Sequence, residues 1–202
     1  MKILVTGFDP FGGESVNPSW EAVKLLPPRI GDCEIIKLML PTEFVRAEEL
    51  LLAAVDTHSP RMVICTGQAA GRAELSFERV AVNLRDASIP DNAGYTPADE
   101  AVFSGGREAY FATLPVKVMA EAVRAAGLPA GLSLSAGSYV CNDVMYTLLR
   151  RLDGTDAIGG FIHLPLSSAQ AEGRTPPPPS MEISDMARGL EAAIKAAAEY
   201  LK

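Results

Sequence analysis

The residues of this sequence with the widest range of chemistry are its three cysteines and two histidines. A thiolate is a strong nucleophile, and an imidazole exchanges protons near neutral pH. Cys33 opens an apolar run and Cys65 lies inside another, a context typical of small core residues. The odd number and wide spacing of the cysteines argue against a disulfide framework. With no CxxC pair and so few histidines, the sequence does not predict a zinc site.

Cys141 has a different context from the other two cysteines. It follows the small-residue segment Ser135-Ala136-Gly137-Ser138 and begins a helical pattern. A helix start favours an anion, so the pKa of a thiol there can fall from about 8.5 toward roughly 3.5–7.5. The same turn offers free N–H groups that can stabilise an oxyanion. Because α/β hydrolytic enzymes use a strand, a tight turn, a nucleophile and a helix in this order, Cys141 is the candidate nucleophile.

A thiol that attacks an amide needs a proton donor for the leaving amine, and histidine is the usual choice. His163 follows an apolar run at the predicted carboxyl end of a strand, although a hydrogen-bonded core histidine is the alternative. His58 lies beside Ser59-Pro60, where a predicted helix ends and a capping role explains it. A carboxylate should orient the catalytic imidazole, and Glu78 is one candidate. The competing acids are Glu74, Asp86, Asp91 and Asp143.

A glycine-rich segment at residues 7–13 follows the first predicted strand. Its glycine spacing is similar to that of a phosphate loop, but Gly13 and Glu14 stand where Lys and Ser or Thr are needed. The dinucleotide fingerprint also fails, because no glycine lies two residues after the first one. The segment instead places Phe8 and Phe11 at the sheet edge where ligands bind in open α/β folds. Two aromatic faces could hold a small flat ligand or could pack against neighbouring loops.

The composition excludes several classes of protein. The chain has 202 residues, of which 48% are hydrophobic and 21% charged, so it can bury a large core without a metal or disulfide. A net charge of −7 with no basic run argues against a nucleic-acid partner. No apolar stretch reaches the roughly 18 residues of a membrane span, and the apolar start is too short for a secretory signal. We therefore expect a cytoplasmic protein without a membrane partner.

Short β-branched runs alternate with helical patterns, which predicts an α/β fold in a single domain over residues 1–202. Strands are predicted at residues 2–6, 33–40, 61–66, 78–84, 131–135 and 158–164. Helices are predicted at residues 18–26, 43–57, 115–126, 139–152 and 181–201, and a proline-rich loop at 167–180. Residues 86–106 are rich in Pro, Asp, Asn and Gly, which predicts a long loop of the kind that often forms a lid or binding surface.

Five stretches together make the sequence resemble the pyroglutamyl peptidase I family, also called pyrrolidone-carboxylate peptidases, over nearly its whole length. They are residues 6–13, 67–72, 77–83, 135–142 and 160–165. Each is weak alone, but all occur in the family's order and spacing. The resemblance implies a three-layer α/β/α sandwich with a mixed, mostly parallel central sheet. It also implies a cysteine-type omega peptidase that removes N-terminal pyroglutamate from peptides, without cofactor or metal, as a homotetramer.

The resemblance further implies which residues act. A catalytic triad would consist of Cys141, which forms a thioester, His163, which serves as acid and base, and Glu78, which orients the imidazole. The pyroglutamyl ring would enter a pocket, with backbone groups near Gln68 contacting its amide. The pocket positions that match the family are Phe8, Phe11, Thr42, Ile89, Tyr139 and Val140.

Three positions depart from the family's pattern. Ser88 stands where many relatives have Arg, Tyr139 where Phe is common, and Asp143 where an aromatic residue is frequent. We expect Asp143 to face solvent, because an inward acid would raise the pKa of the nearby thiol. The loss of the Arg keeps open a ring-binding protein without chemistry. A nucleoside-phosphorylase-like transferase is a second alternative, whereas a purely structural role would leave the triad unexplained.

Overall fold

The computed structural model describes residues 1–202. Its strands are β1 (Lys2–Phe8), β2 (Arg29–Ile30), β3 (Cys33–Leu40), β4 (Met62–Gln68), β5 (Leu75–Glu78), β6 (Val80–Val82), β7 (Ala109–Phe111), β8 (Ala130–Ser133), β9 (Ile158–Leu164), β10 (Leu166–Ser167) and β11 (Ser180–Met181). Its helices are α1 (Pro18–Leu25), α2 (Phe44–His58), α3 (Val116–Ala125), α4 (Val140–Leu152), α5 (Ser168–Ala171) and α6 (Ile183–Tyr200). None of these helices combines the length and the apolar character that crossing a bilayer requires.

Seven strands form the central sheet in the order β2-β3-β1-β4-β9-β5-β8. The pairs β1–β3, β1–β4, β4–β9 and β5–β8 are parallel, whereas β2–β3 and β5–β9 are antiparallel. The sheet is therefore mixed and mostly parallel, as expected. Because β5 is antiparallel to β9, these two neighbouring strands run in opposite directions in the sheet.

Both faces of the sheet are covered by helices, which explains why the central strands are apolar throughout. In β1, Ile3 and Val5 belong to a core cluster shared with α1, α3 and α6. Leu4 and Phe8 point the other way, into a second cluster shared with α2 and α4. This alternation follows from the two-residue period of a strand. The result is the α/β/α sandwich that the family resemblance implied.

The structure differs from the sequence-based prediction in several places, and it adds the short strands β2, β7, β10 and β11. Of the strand predicted at residues 78–84, only β6 lies within the range, because β5 ends at the buried Glu78 and β6 leaves the main sheet to form a two-stranded ladder with β7. The proline-rich loop at 167–180 contains a short helix, α5, which the prediction missed. Ser167 and Gln170 form a capping box at its start, and the Ser-x-x-Gln spacing is a signal that could have revealed it.

The side chain of Asn142 ties the start of α4 to β6. It is fully buried, its Nδ2 donates to the carbonyl oxygens of Val82 (2.9 Å) and Leu84 (3.0 Å), and its Oδ1 accepts from the N–H of Val82 (2.9 Å). The backbone of Val82 and Leu84 thus holds a fully buried amide, so the position of the first turn of α4 depends on these contacts.

We expect Asn142→Ala to lower the free energy of unfolding by about 2–4 kcal/mol, because a fully buried amide and its three hydrogen bonds to the backbone are lost. Urea denaturation measures this change. The matched control is Asn83→Ala, which removes two solvent-exposed hydrogen bonds to the backbone of Phe103 and should cost about 1 kcal/mol or less. Equal losses in the two variants would contradict the prediction.

Candidate active site

The small-residue turn before α4 places Cys141 at the carboxyl edge of the sheet. Gly137 has a φ of 80°, a conformation that favours glycine. The Oγ of Ser138 donates to the carbonyl oxygen of Asp86 (2.6 Å), which fixes the turn against the neighbouring segment. Cys141 is therefore the second residue of α4, as predicted, and is partly exposed.

Gly67 of β4 packs directly against the thiol of Cys141. A Cβ added at this glycine would lie 2.8 Å from Cys141 Sγ and 2.8 Å from Phe161 Cζ. Gly67 is also the direct neighbour of His163 in the β4–β9 pairing. The thiol, the phenyl ring and the histidine strand therefore converge on one backbone position, and only glycine leaves room for all three.

His163 is buried and oriented by Glu78. Its Nδ1 lies 2.8 Å from Glu78 Oε1, and the two side chains are 5% and 0% exposed. Among the five candidate acids only Glu78 contacts this ring. His58 ends α2 just before the amino end of β4, at the opposite edge of the sheet from His163. Because Nδ1 is engaged, Nε2 is the nitrogen available to a thiol or a leaving group.

Arg72 is a component of the site that the sequence analysis did not assign. Its Nη1 lies 2.9 Å from Glu78 Oε1, and its Nη2 donates to the carbonyl oxygen of Ser135 (3.1 Å). The guanidinium thus links the buried carboxylate to the turn that precedes Cys141. Its place in the stretch 67–72 was the available signal, but sequence alone does not reveal which acid an arginine will meet.

Burial controls the protonation of both reactive groups. Desolvation lowers the pKa of His163 from its usual value, although the hydrogen bond and charge of Glu78 act in the opposite direction. Desolvation, followed by the charge of Glu78, raises the pKa of the Cys141 thiol to about 12. The helix start was expected to lower this pKa, but the loss of water outweighs it. Both shifts favour the neutral thiol and the neutral imidazole over the ion pair.

A nucleophilic attack by the thiol would need proton transfer between these two groups. Cys141 and His163 are not hydrogen-bonded to each other here, a common situation before a substrate is bound. The N–H of Cys141 interacts with its own sulfur, and the next two N–H groups, of Asn142 and Asp143, both donate to the carbonyl oxygen of Tyr139. The N–H of Cys141 is therefore the helix-start donor best placed to receive a developing oxyanion.

A narrow cavity of about 40 Å³ opens beside the thiol. Its lining consists of Phe8, Phe11, Asn17, Thr42, Gln68, Tyr139, Val140 and Cys141. Six of the seven pocket residues implied by the family resemblance are in this set. Ile89 is not, and its side chain is 46% exposed. The sequence analysis treated Asn17 only as a helix cap, which it also is.

The walls of the cavity are tied to one another by polar contacts. The Oε1 of Gln68 accepts from Gln170 Nε2 (3.0 Å), which orients the Gln68 amide. The hydroxyl of Tyr139, absent from a phenylalanine, donates to the carbonyl oxygen of Pro90 (3.0 Å). The Oδ2 of Asp91 accepts from the N–H of Phe44 (3.0 Å). The long segment predicted as a lid or binding surface thus does not line the cavity, but it is tied to Tyr139, which does.

Asp143 does not face solvent, so that expectation was wrong. Its side chain is fully buried, and its Oδ1 lies 2.5 Å from Arg85 Nε. A buried acid is tolerated here because Arg85 supplies a charged partner from a distant part of the chain. Asp143 is not among the groups that raise the pKa of Cys141.

The comparisons with known proteins agree over the whole chain. The model of the pyroglutamyl peptidase family matches residues 1–200. A pyrrolidone-carboxylate peptidase of Thermococcus kodakarensis is 50% identical over 203 aligned positions, which cover 100% of this chain and 98% of that protein. The crystal structure of pyroglutamyl peptidase I from Bacillus amyloliquefaciens superposes with a TM-score of 0.94 at 41% identity, covering 98% and 97% of the two chains. A variant of the Pyrococcus furiosus pyrrolidone carboxyl peptidase gives 0.95 at 40% identity, with both chains fully covered.

We expect Gly67→Ala to slow the alkylation of Cys141 by iodoacetamide by about tenfold or more, because the new methyl group must displace Sγ or the ring of Phe161. The rate is measured by mass spectrometry of the labelled peptide. Cys33 and Cys65 are buried and should remain unlabelled while the protein is folded.

The matched control is Gly159→Ala on β9, where the added Cβ would meet the flexible ends of Leu152 (2.7 Å) and Leu148 (3.0 Å) instead. This change should lower stability and leave the labelling rate of Cys141 unaltered. If the two variants slowed labelling equally, the contact between Gly67 and the thiol would not be what sets its reactivity.

Proposed function

Because this chain belongs to the pyroglutamyl peptidase family and is a cysteine-type peptidase, we propose that it hydrolyses the amide bond after an N-terminal pyroglutamyl residue, with Cys141 as the nucleophile. One observation carries the proposal. The thiol lies at a small, aromatic-walled cavity and packs against Gly67, the strand neighbour of His163 in the buried His163–Glu78 pair. A cavity for the ring, a nucleophile and an oriented base are thus within one site.

The chemistry of the cavity favours a neutral ring over a free amino terminus. No Asp or Glu lines it, so an ammonium group would find no counter-charge. Phe8, Phe11 and Tyr139 offer aromatic faces to a flat five-membered lactam. The lactam has one N–H and one ring carbonyl, which backbone groups near Gln68 can satisfy. The small volume excludes larger side chains at this position.

The proposed reaction begins with proton transfer from the Cys141 thiol to His163 Nε2 as the sulfur attacks the pyroglutamyl carbonyl. The N–H of Cys141 stabilises the oxyanion. The tetrahedral intermediate collapses, His163 gives its proton to the leaving amine, and a thioester remains on Cys141. Water then attacks the thioester while His163 accepts its proton, and the thiol leaves with that proton. Pyroglutamate is released and the enzyme returns to its starting state.

Glu78 has two roles in this scheme. Its hydrogen bond to Nδ1 keeps Nε2 facing the reaction, and its charge stabilises the imidazolium that forms in each step. Arg72 holds the same carboxylate oxygen and thereby limits the orientations that Glu78 can adopt. No arginine reaches the site from the position of Ser88, which is exposed. The ring-binding alternative without chemistry is therefore tested directly by the assay below.

The transferase alternative has less support. No lysine or arginine lines the cavity, although phosphate contacts would need cations or several amides. Glu14, in the glycine-rich loop, is paired with Arg174 (2.6 Å). Phosphorolysis of a nucleoside by the purified protein would restore this alternative.

Four further parts of the proposal rest on the family resemblance or on composition. We place the activity in a single domain over residues 1–202, consistent with one family model matching residues 1–200. We propose that the protein needs no cofactor. We also propose that it is a homotetramer, which the sedimentation mass of the purified protein tests. We also propose a cytoplasmic location, which fractionation of the source cells tests.

Wild-type protein under reducing conditions should release aminomethylcoumarin from pyroglutamyl-aminomethylcoumarin. Cys141→Ala should lower this release at least about 10⁴-fold, because the acyl acceptor is lost. Fluorescence follows the reaction, and circular dichroism verifies folding. Cys33→Ala, a buried cysteine in the other core cluster, is the matched control and should retain activity. No release by folded wild type would refute the proposal, and binding of free pyroglutamate would then favour the ring-binding alternative.

Glu78→Gln should lower kcat by about 10²-fold and move the acid limb of the kcat/KM profile to lower pH. The limb reports protonation of His163, and Glu78 raises the pKa of that imidazole through its hydrogen bond and charge. Profiles recorded between about pH 4 and about pH 9 would measure the change. Glu74→Gln is the control, because Glu74 makes no contact with His163. A fall in rate with an unmoved limb would show that Glu78 acts only as a spacer.

A further inference from the structure

A buried cluster of charged side chains lies behind the nucleophile and has no part in the proposed chemistry. Asp143 is in the first turn of α4, Glu48 is on α2, and Arg85 follows β6. Their side chains are 0%, 17% and 12% exposed. Arg85 Nε contacts Asp143 Oδ1 at 2.5 Å, and Arg85 Nη2 contacts Glu48 Oε1. One guanidinium thus joins two carboxyl groups from two helices.

The hydrogen bonds in this cluster do not balance if both acids are ionised. Glu48 Oε1 accepts from Arg85 and Glu48 Oε2 accepts from the hydroxyl of Thr147 (2.8 Å). Asp143 Oδ1 also accepts from Arg85, but Asp143 Oδ2 is buried without any donor. Both carboxyl groups contact the same guanidinium, Asp143 through Arg85 Nε and Glu48 through Arg85 Nη2, so the two acids lie beside one cation. A proton between the two acids would supply the missing donor and remove one of two charges that share a single cation.

We propose that Asp143 and Glu48 share one proton and that this protonated pair, held by Arg85, positions the first turn of α4 against residues 86–99, the segment that holds Tyr139 of the cavity lining. The consequence for the reaction rests on the proposed function. The shared proton itself does not rest on the proposed function, because it is inferred from the hydrogen bonds and the charges of the cluster alone.

Arg85 is well placed to transmit this constraint, because its backbone pairs with that of Glu100 and so closes the base of the loop formed by residues 86–99. Its N–H donates to the carbonyl oxygen of Glu100 (2.7 Å), and the N–H of Glu100 donates back to the carbonyl oxygen of Arg85 (2.9 Å). Between them, the hydroxyl of Tyr139 holds Pro90. The cluster therefore connects α2, α4 and both ends of residues 86–99, and its neutral acid leaves no extra anion beside the helix start that must receive the oxyanion.

The surrounding charges agree with a held proton. Burial, followed by the hydrogen bond and charge of Glu48, raises the pKa of Asp143 to about 9 against the opposing effect of Arg85. Tyr95 is the other titratable group that faces the cluster, and its hydroxyl donates to Glu100 (2.5 Å). The unfolded chain releases the proton of Asp143 above its ordinary pKa of 3.8, whereas the native protein keeps it up to about pH 9. Native stability from this group therefore falls as pH rises through that window.

The test compares the unfolding equilibrium of wild type and Asp143→Asn across pH. The amide retains a donor but cannot release a proton. The unfolding constant of wild type relative to the variant should rise by up to about tenfold per pH unit between about pH 5 and about pH 8. Urea denaturation at several pH values measures this ratio and requires no activity. A change in stability that is constant with pH would overturn the proposal.

Two further variants make the result independent of how well Asp143→Asn folds. Glu48→Gln should remove the same pH dependence, because the remaining acid can then ionise opposite Arg85. Glu49→Gln, on the exposed face of the same helix, is the matched control and should retain it. In infrared spectra the wild type should show a protonated-carboxyl C=O band near neutral pH that Asp143→Asn lacks. Absence of that band from wild type would also overturn the proposal.

The effect on the site is measured separately. Wild-type kcat/KM should fall by about tenfold between about pH 8 and about pH 10 as the shared proton leaves, and Asp143→Asn should fall less. A positive stability result with identical alkaline limbs would confine the pair to folding and overturn its positioning role. If no pyroglutamyl substrate is cleaved at all, the proposed function fails while the stability and infrared measurements still decide the shared proton.

Discussion

The site depends on one buried carboxylate, that of Glu78. An acid with no exposure is expensive to bury in its charged form unless donors meet it, and here His163 Nδ1 and Arg72 Nη1 both meet Oε1, while Oε2 has no partner. These partners come from β9 and from the loop after β4, so satisfying one charge aligns β5, β9 and that loop. Arg72 continues to the carbonyl of Ser135, which extends the alignment to the turn before α4. The orientation of the imidazole and the location of the nucleophile thus share one electrostatic requirement.

Three consecutive residues at the start of α4, Cys141 to Asp143, contact three different parts of the molecule. Successive side chains on a helix are about 100° apart, so neighbours in sequence project in different directions. Cys141 points to Gly67 and the cavity, Asn142 to the backbone of β6, and Asp143 to Arg85 and Glu48. The reactive thiol is consequently flanked by two side chains whose polar contacts hold the helix from either side. Small shifts of the helix would disturb both sets of contacts at once.

Sequence reasoning was most successful where a single strand or turn carries the information. The apolar runs of β4 and β9 and the turn before Cys141 are local signals, and the structure confirms the elements they predicted. Sequence reasoning failed where the role of a side chain depends on a partner that is distant in sequence. Glu78 could not be chosen over Asp91 without knowing which acid meets His163, and Arg72 had no visible target. Asp143 was expected at the surface because the neighbouring sequence does not show that Arg85 pairs with it. The separation of β5 from β6 was missed because residues 75–82 contain no glycine or proline to mark a break.

The protonation states of the site explain how a buried thiol can serve as a nucleophile. Desolvation disfavours a resting thiolate–imidazolium pair of Cys141 and His163. The N–H of Cys141 then meets a neutral sulfur at rest, and in the proposed reaction it would turn to the charge that develops on the substrate. Interactions that appear only in the transition state accelerate a reaction, whereas those already made in the ground state do not. In the proposed mechanism, burial that raises the pKa of the thiol would therefore leave the N–H of Cys141 to the oxyanion, while Glu78 would stabilise the imidazolium formed in the same step.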